Sequence, residues 1–123
     1  MIPKSLKAWF IAHFLIDWIV GIPLLIDPVW ATSLFNITIT NSLMARLVAA
    51  AFIVIGGISF AERKAHKESF KTLLNFKIAW SLFAIVALVI ELISGGPKLL
   101  FWPLGIFVVF HLVWVRYRLK LFN

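Results

Sequence analysis

Four apolar runs, each about as long as a bilayer is thick, fill most of this 123-residue chain. They cover about Leu6 to Ile26, Ser42 to Phe60, Phe76 to Ile93 and Leu99 to Val115. A helix needs about 20 residues to cross roughly 30 Å of hydrocarbon. The runs are continuous rather than alternating, and far longer than a barrel strand of ~10 residues, so strands are not expected. The chain is 63% hydrophobic with a mean hydropathy of +1.02. A soluble domain of this size has too little interior to hide that much apolar surface. The pattern predicts one all-α transmembrane domain over residues 1–123, an antiparallel four-helix bundle in an integral membrane protein.

The charges predict orientation. Net charge is +7, which in a soluble protein would raise the question of nucleic acid. Here the basic residues cluster outside the apolar runs, where they set topology and meet anionic headgroups. Membrane lipids are therefore the expected partner, and nucleic acid is not. Lys4 and Lys7 precede the first run. Arg63, Lys64, Lys67, Lys71 and Lys77 lie between or beside the second and third, and Arg116, Arg118 and Lys120 follow the fourth. The connection from Asp27 to Asn41 has no Lys or Arg. Both termini and a basic loop at 61–75 are thus expected in the cytoplasm, with the cell membrane as the location. A signal peptide is the competing reading of the first run, since Val29-Trp30-Ala31 loosely fits a cleavage site. The run is too long for one and contains Asp17. Cysteine is absent, which excludes disulfides, thiolate metal sites and thiol redox chemistry.

The loops carry their own signals. Asp27-Pro28 reads as an N-cap and a first helical proline, predicting a short outer helix from Pro28 to Phe35. Asn41 or Ser42 can cap the second run. Gly95-Gly96-Pro97 reads as a tight break between the third and fourth. Asn36-Ile37-Thr38 matches a glycosylation sequon, relevant only in a eukaryote. The charged stretch Glu62 to Lys71 can extend a neighbouring helix. Pro23 and Pro103 are expected to kink the first and fourth spans and widen the bundle near its outer face. No internal repeat of the inverted-transporter kind is evident.

Function should lie with the groups that lipid opposes. His13 and Asp17 stand at i and i+4 in the first run, so they face one direction. Counting at 1.5 Å per residue puts Asp17 near the midplane and His13 one turn toward the cytoplasm. His111 falls in the cytoplasmic half of the fourth run, at similar depth, and the first and fourth spans of such bundles are commonly neighbours. Three roles stay open for His13, Asp17 and His111: stitching helices together, lining a cavity for a polar headgroup or small ligand, or relaying protons. Two facing histidines also admit haem, which no other feature supports. Arg46 and Glu91 match in depth near the outer face, each on a stripe of small residues. They are expected to form a structural ion pair, with contact between Arg46 and an anionic headgroup as the alternative. Trp9, Trp30 and Trp102 suit the interfacial belts, and Trp114 lies near the cytoplasmic edge. Trp18 and Trp80 lie deeper, as core residues or as the wall of a ligand pocket.

No glycine-rich phosphate loop, nucleophile elbow or zinc-protease signature occurs, and the helices lack the repeated Glu and His of a di-metal site, so no metal ligands are assigned. The layout resembles the DoxX-like group of small four-helix membrane proteins. The resemblance rests on Gly21-Ile22-Pro23-Leu24-Leu25-Ile26-Asp27-Pro28 leaving the first span, Asn41 to Arg46 entering the second, and Gly56-Gly57 near its end. In that group the first loop often starts with Pro and an outer short helix, and an Arg opens the second span. This chain departs from some members in lacking their cysteines and further Gly-rich elements. The resemblance implies a membrane subunit, or a ligand-binding bundle tied to redox or quinone-linked systems, and assigns no catalytic residue. The expected function is accordingly a non-enzymatic accessory subunit or a bundle that binds a small ligand or lipid. The alternative is a proton- or ion-coupled transporter using Asp17 with His13 and His111, which would require a homo-oligomer. An intramembrane enzyme ranks third.

Overall fold

A computed structural model describes residues 1–122. Its elements are α1 (Lys4–Ile26), α2 (Pro28–Ser33), α3 (Leu43–Ala61), α4 (Lys67–Ile93), a 3-10 turn (Lys98–Leu100) and α5 (Phe101–Phe122). No strand occurs among the described residues. Four helices are long and apolar enough to cross a membrane: Lys4–Ile26, Leu43–Ala61, Lys67–Ile93 and Lys98–Phe122. At 1.5 Å per residue, the 19 residues of α3 rise about 28 Å, close to the hydrocarbon thickness.

The helix ends follow local chemistry. Asp27 accepts the Trp30 N–H at 3.2 Å and Pro28 fills the first position of α2, whose own N–H would otherwise be unpaired. The expected short helix is therefore present, though it stops at Ser33 rather than Phe35. Asn36 then takes a left-handed backbone (φ 59) that lets the chain turn. Asn41 supplies the cap of α3, its Oδ1 accepting the Leu43 N–H at 2.8 Å. α4 ends in a Schellman motif: the Gly96 N–H reaches the Glu91 carbonyl at 2.8 Å and the Gly95 N–H reaches Leu92 at 3.2 Å. Gly95 has φ 93, a conformation that requires glycine.

Two boundaries differ from the sequence expectation. The basic loop is shorter than 61–75, because α4 begins at Lys67 and carries its basic residues on helix. Charged residues do not end a helix, and the first turn of α4 is exposed from Lys67 to Glu68. Pro103 falls in the first turn of α5, where proline costs no helical hydrogen bond. Pro23 does lie inside α1, one turn from its end, and the helix continues through it to Ile26.

The chain divides into two compact units, Met1–Ala65 and one that begins at His66. Each is a helical hairpin. In the first, His13 meets Ser59, Asp17 meets Gly56, and Gly21 meets Ala49, Phe52 and Ile53. The buried stripe of α1 is Leu6, Phe10, His13, Asp17 and Gly21. In the second, Asn75 meets Arg118, Lys77 meets Trp114, and Ser81 meets His111. The buried stripe of α4 is Phe70, Leu74, Lys77 and Ser81. Both stripes follow i, i+4, i+7, i+11, the spacing of one helix face, and both place two apolar residues, then a base, then a polar group.

Candidate functional site: a polar seam in each hairpin

The first seam is built around His13. Its Nε2 lies 3.3 Å from Asp17 Oδ2, and both side chains are buried. Its Nδ1 lies 3.5 Å from Ser59 Oγ on the opposite helix. Ser59 donates its hydroxyl proton to the Ile55 carbonyl at 2.8 Å, one turn back on α3. A serine bonded in this way is at home in an apolar helix, and its oxygen lone pair is left facing His13. Asp17 fits because Gly56 stands opposite: a Cβ there would lie 2.8 Å from the Cβ of Asp17. The missing methyl lets the helices approach at the depth of the acid.

Trp18 belongs to the same interface. Its indole N–H donates to the Ile53 carbonyl of α3 at 3.0 Å. Phe14 packs between Trp18 and Phe60, with ring centroids at 5.0 and 4.7 Å. Of the two roles open to Trp18, the contacts favour cross-helix packing.

The second seam was only half legible. His111 is present in it, 2.7 Å through Nδ1 from Ser81 Oγ on α4. Ser81 also reaches the Ile78 carbonyl at 3.1 Å, so both hairpins join a histidine to a serine bonded to its own helix. The residue that sequence reasoning missed is Lys77. It is 1% exposed, and its Nζ lies 4.9 Å from the Trp114 ring centroid. A cation over an indole face is stabilised by the ring quadrupole, more so away from water. Trp114 is itself 1% exposed and stacks on Phe110 at 5.5 Å, so it is a core residue and not part of an interfacial belt. Trp80 packs edge-on to Phe107 at 6.3 Å. Trp30 and Trp102 are exposed, as belt residues are.

His13 and Asp17 are thus brought together within the first hairpin, and His111 lies within the second. Arg46 and Glu91 are likewise divided between the two. Arg46 is engaged inside its own hairpin: Nε donates to the Leu25 carbonyl at 3.1 Å and Nη1 to Ser42 Oγ at 3.0 Å. Leu25 is in the last turn of α1, where carbonyls lack helical partners and the dipole is negative. Arg46 is therefore a cap for α1 delivered from α3. Arg46→Lys keeps the charge but loses the planar fork, and is expected to cost about 1 kcal/mol in detergent unfolding. In a double-mutant cycle with Glu91→Ala, a coupling above about 0.5 kcal/mol would support the pairing of Arg46 with Glu91 as well; additive losses would leave capping alone.

Among the described residues, no group of three His, Cys, Asp or Glu side chains comes together to hold a metal ion. Comparison with protein-family models, curated proteins and solved structures gives no match.

Proposed function

We propose that this chain is a small polytopic protein of the cell membrane, with both termini and the α3–α4 connection in the cytoplasm. Its helices form an antiparallel four-helix bundle that is non-enzymatic and binds a small amphiphile or lipid, or serves as an accessory subunit of a membrane complex. One observation carries the reading: the polarity of the helices is inverted relative to a soluble protein. Large apolar side chains face outward, Ile19 and Phe83 at 70% exposure among them, while His13, Asp17 and Lys77 are buried. In hydrocarbon an ionisable group costs a few kcal/mol at the helix centre, and it is retained where it faces protein, a ligand or a water-filled path. Two buried seams with donors and acceptors under an apolar exterior suit a ligand with one polar end and one greasy end. The layout shared with the DoxX-like group supports the same class.

A second reading has its own support. The contacts Ser59–His13–Asp17, at 3.5 and 3.3 Å, link three groups that can exchange protons. A proton-coupled transporter built on them would act as a homo-oligomer, since four spans seldom enclose a pathway alone.

The test uses Asp17→Asn, which keeps the shape and removes the charge. Native mass spectrometry from mild detergent should show a bound lipid or small molecule on the wild type and reduced occupancy on the variant. Proton flux in proteoliposomes separates the second reading: it should be present in the wild type and lost in the variant. A variant matching the wild type in bound species and in flux would reject Asp17 as a functional group.

A further inference from the structure

We propose that the paired ends of α4 and α5 form a binding surface for the phosphate of an anionic lipid in the cytoplasmic leaflet. The inference rests on the orientation proposed above. Near this end stand Lys67, Lys71, Arg116, Arg118 and Lys120, with Glu68 as the acid among them.

Arg118 is the organised member. Its Nε donates to Asn75 Oδ1 at 2.7 Å, across the hairpin. Its Nη1 reaches the Phe122 carbonyl at 3.4 Å, and its guanidinium carbon lies 5.6 Å from the Phe122 ring centroid. Two of the five guanidinium donors are used, and among the described residues the other three have no acceptor. An arginine held through Nε and Nη1 keeps Nη2 for an oxyanion and offers it at little further entropic cost.

Lys67 comes to the same ring from α4, its Nζ 5.6 Å from the Phe122 centroid. Two cations at one ring concentrate positive charge at this end of the hairpin, which an anion would relieve. Lys71 lies one turn along α4 from Lys67 and adds charge on the same face. The N-terminus of α4, with its positive dipole end, opens at this surface too. The gathered charge and a pre-set guanidinium with donors to spare together fit a lipid phosphate.

The experiment is lipid binding to the intact protein in mild detergent, followed by native mass spectrometry. Phosphatidylglycerol, phosphatidylcholine and free glycerol phosphate are the probes. Preferential binding of phosphatidylglycerol is expected, falling about fivefold for Lys67→Gln and further for Arg118→Gln, because each basic group near an anionic surface contributes that factor. Lys98→Gln, at the far end of the hairpin, should leave the preference intact. Lys67 touches only the ring, so its variant should fold even if the Arg118 variant does not. Equal binding of the two lipids, or equal losses in the Lys67 and Lys98 variants, would overturn the site in favour of diffuse charge. Binding of glycerol phosphate as tight as the lipid would replace a lipid site with a soluble-anion site. Orientation is checked separately. The chain has no cysteine, so single cysteines at Asn36 and Ala65 can be probed with an impermeant thiol reagent. Labelling of position 36 from outside, and of 65 only after permeabilisation, keeps the orientation while the lipid site stands or falls by itself.

Discussion

Gly56→Ala should destabilise the protein by about 1–3 kcal/mol, while the same change one residue later should not. The two glycines are neighbours in sequence, and their surroundings are opposite. A Cβ on Gly56 would lie 2.8 Å from Asp17 Cβ, 3.1 Å from Trp18 Cδ1 and 3.3 Å from the Phe14 carbonyl oxygen. The first and last of these atoms belong to backbone or lie next to it, so neither can swing aside, and the helices must separate. A Cβ on Gly57 would meet nothing closer than 3.9 Å, an ordinary contact with the Trp18 ring. Gly57→Ala should be neutral or stabilising by up to about 1 kcal/mol, since alanine loses less freedom in a helix. Unfolding of the two variants in mixed detergent, side by side, measures the difference. Similar stabilities would mean that α1 and α3 do not approach as closely as the glycines imply.

The largest loss is expected from separating His13 and Asp17. Both side chains are buried, at 5% and 3% exposure, so solvent screening gives little relief to a partner left behind. Asp17→Ala or His13→Ala alone should each cost about 3 kcal/mol, since each removes a buried ion-pair partner from the group that stays behind. The double variant should cost less than the sum, because the contact between the two side chains is lost only once. Reversible unfolding of the three variants gives the coupling directly. Strict additivity would show that the pair's 3.3 Å approach carries no energy. The cycle is distinct from the functional test with Asp17→Asn: it reads stability, whereas the other reads bound species and flux.

Much of the architecture could be read from the residues, because a bilayer imposes length. A run such as Phe76 to Ile93 makes a helix long and apolar enough to span a bilayer, and both the Asp27–Pro28 cap and the Gly95–Gly96 stop have local causes that act before any packing. His13 and Asp17 were visible for the same reason: a base and an acid inside an apolar run have few innocent explanations. Lys77 was not visible. It stands at the edge of a run that follows Lys64, Lys67 and Lys71, and so passes for one more flank residue. Its burial depends on Trp114, which is 37 positions away and itself passes for an interfacial residue. Ser59 and Ser81 escaped notice because a hydroxyl bonded to its own helix lets serine sit anywhere in an apolar span. Trp18 is a third kind of case. Its partner is a main-chain carbonyl, and every residue has one, so only the small residues around Ile53 hint at the contact.

The pairing of His13 with Asp17 inside a single helix has a consequence for biogenesis. A polar residue whose partner lies on a later helix has to wait in lipid, or in the insertion machinery, until that helix is made. Four residues apart on α1, the acid and the base emerge from the ribosome almost together and can neutralise each other as soon as the first helix forms. α3 follows with Ser59 and Gly56 already placed for the same seam, so the first hairpin can close on its polar groups while the second is still being synthesised. For this hairpin the order of synthesis and the order of assembly are then the same, whereas Lys77 on α4 has to wait for Trp114 of the next helix.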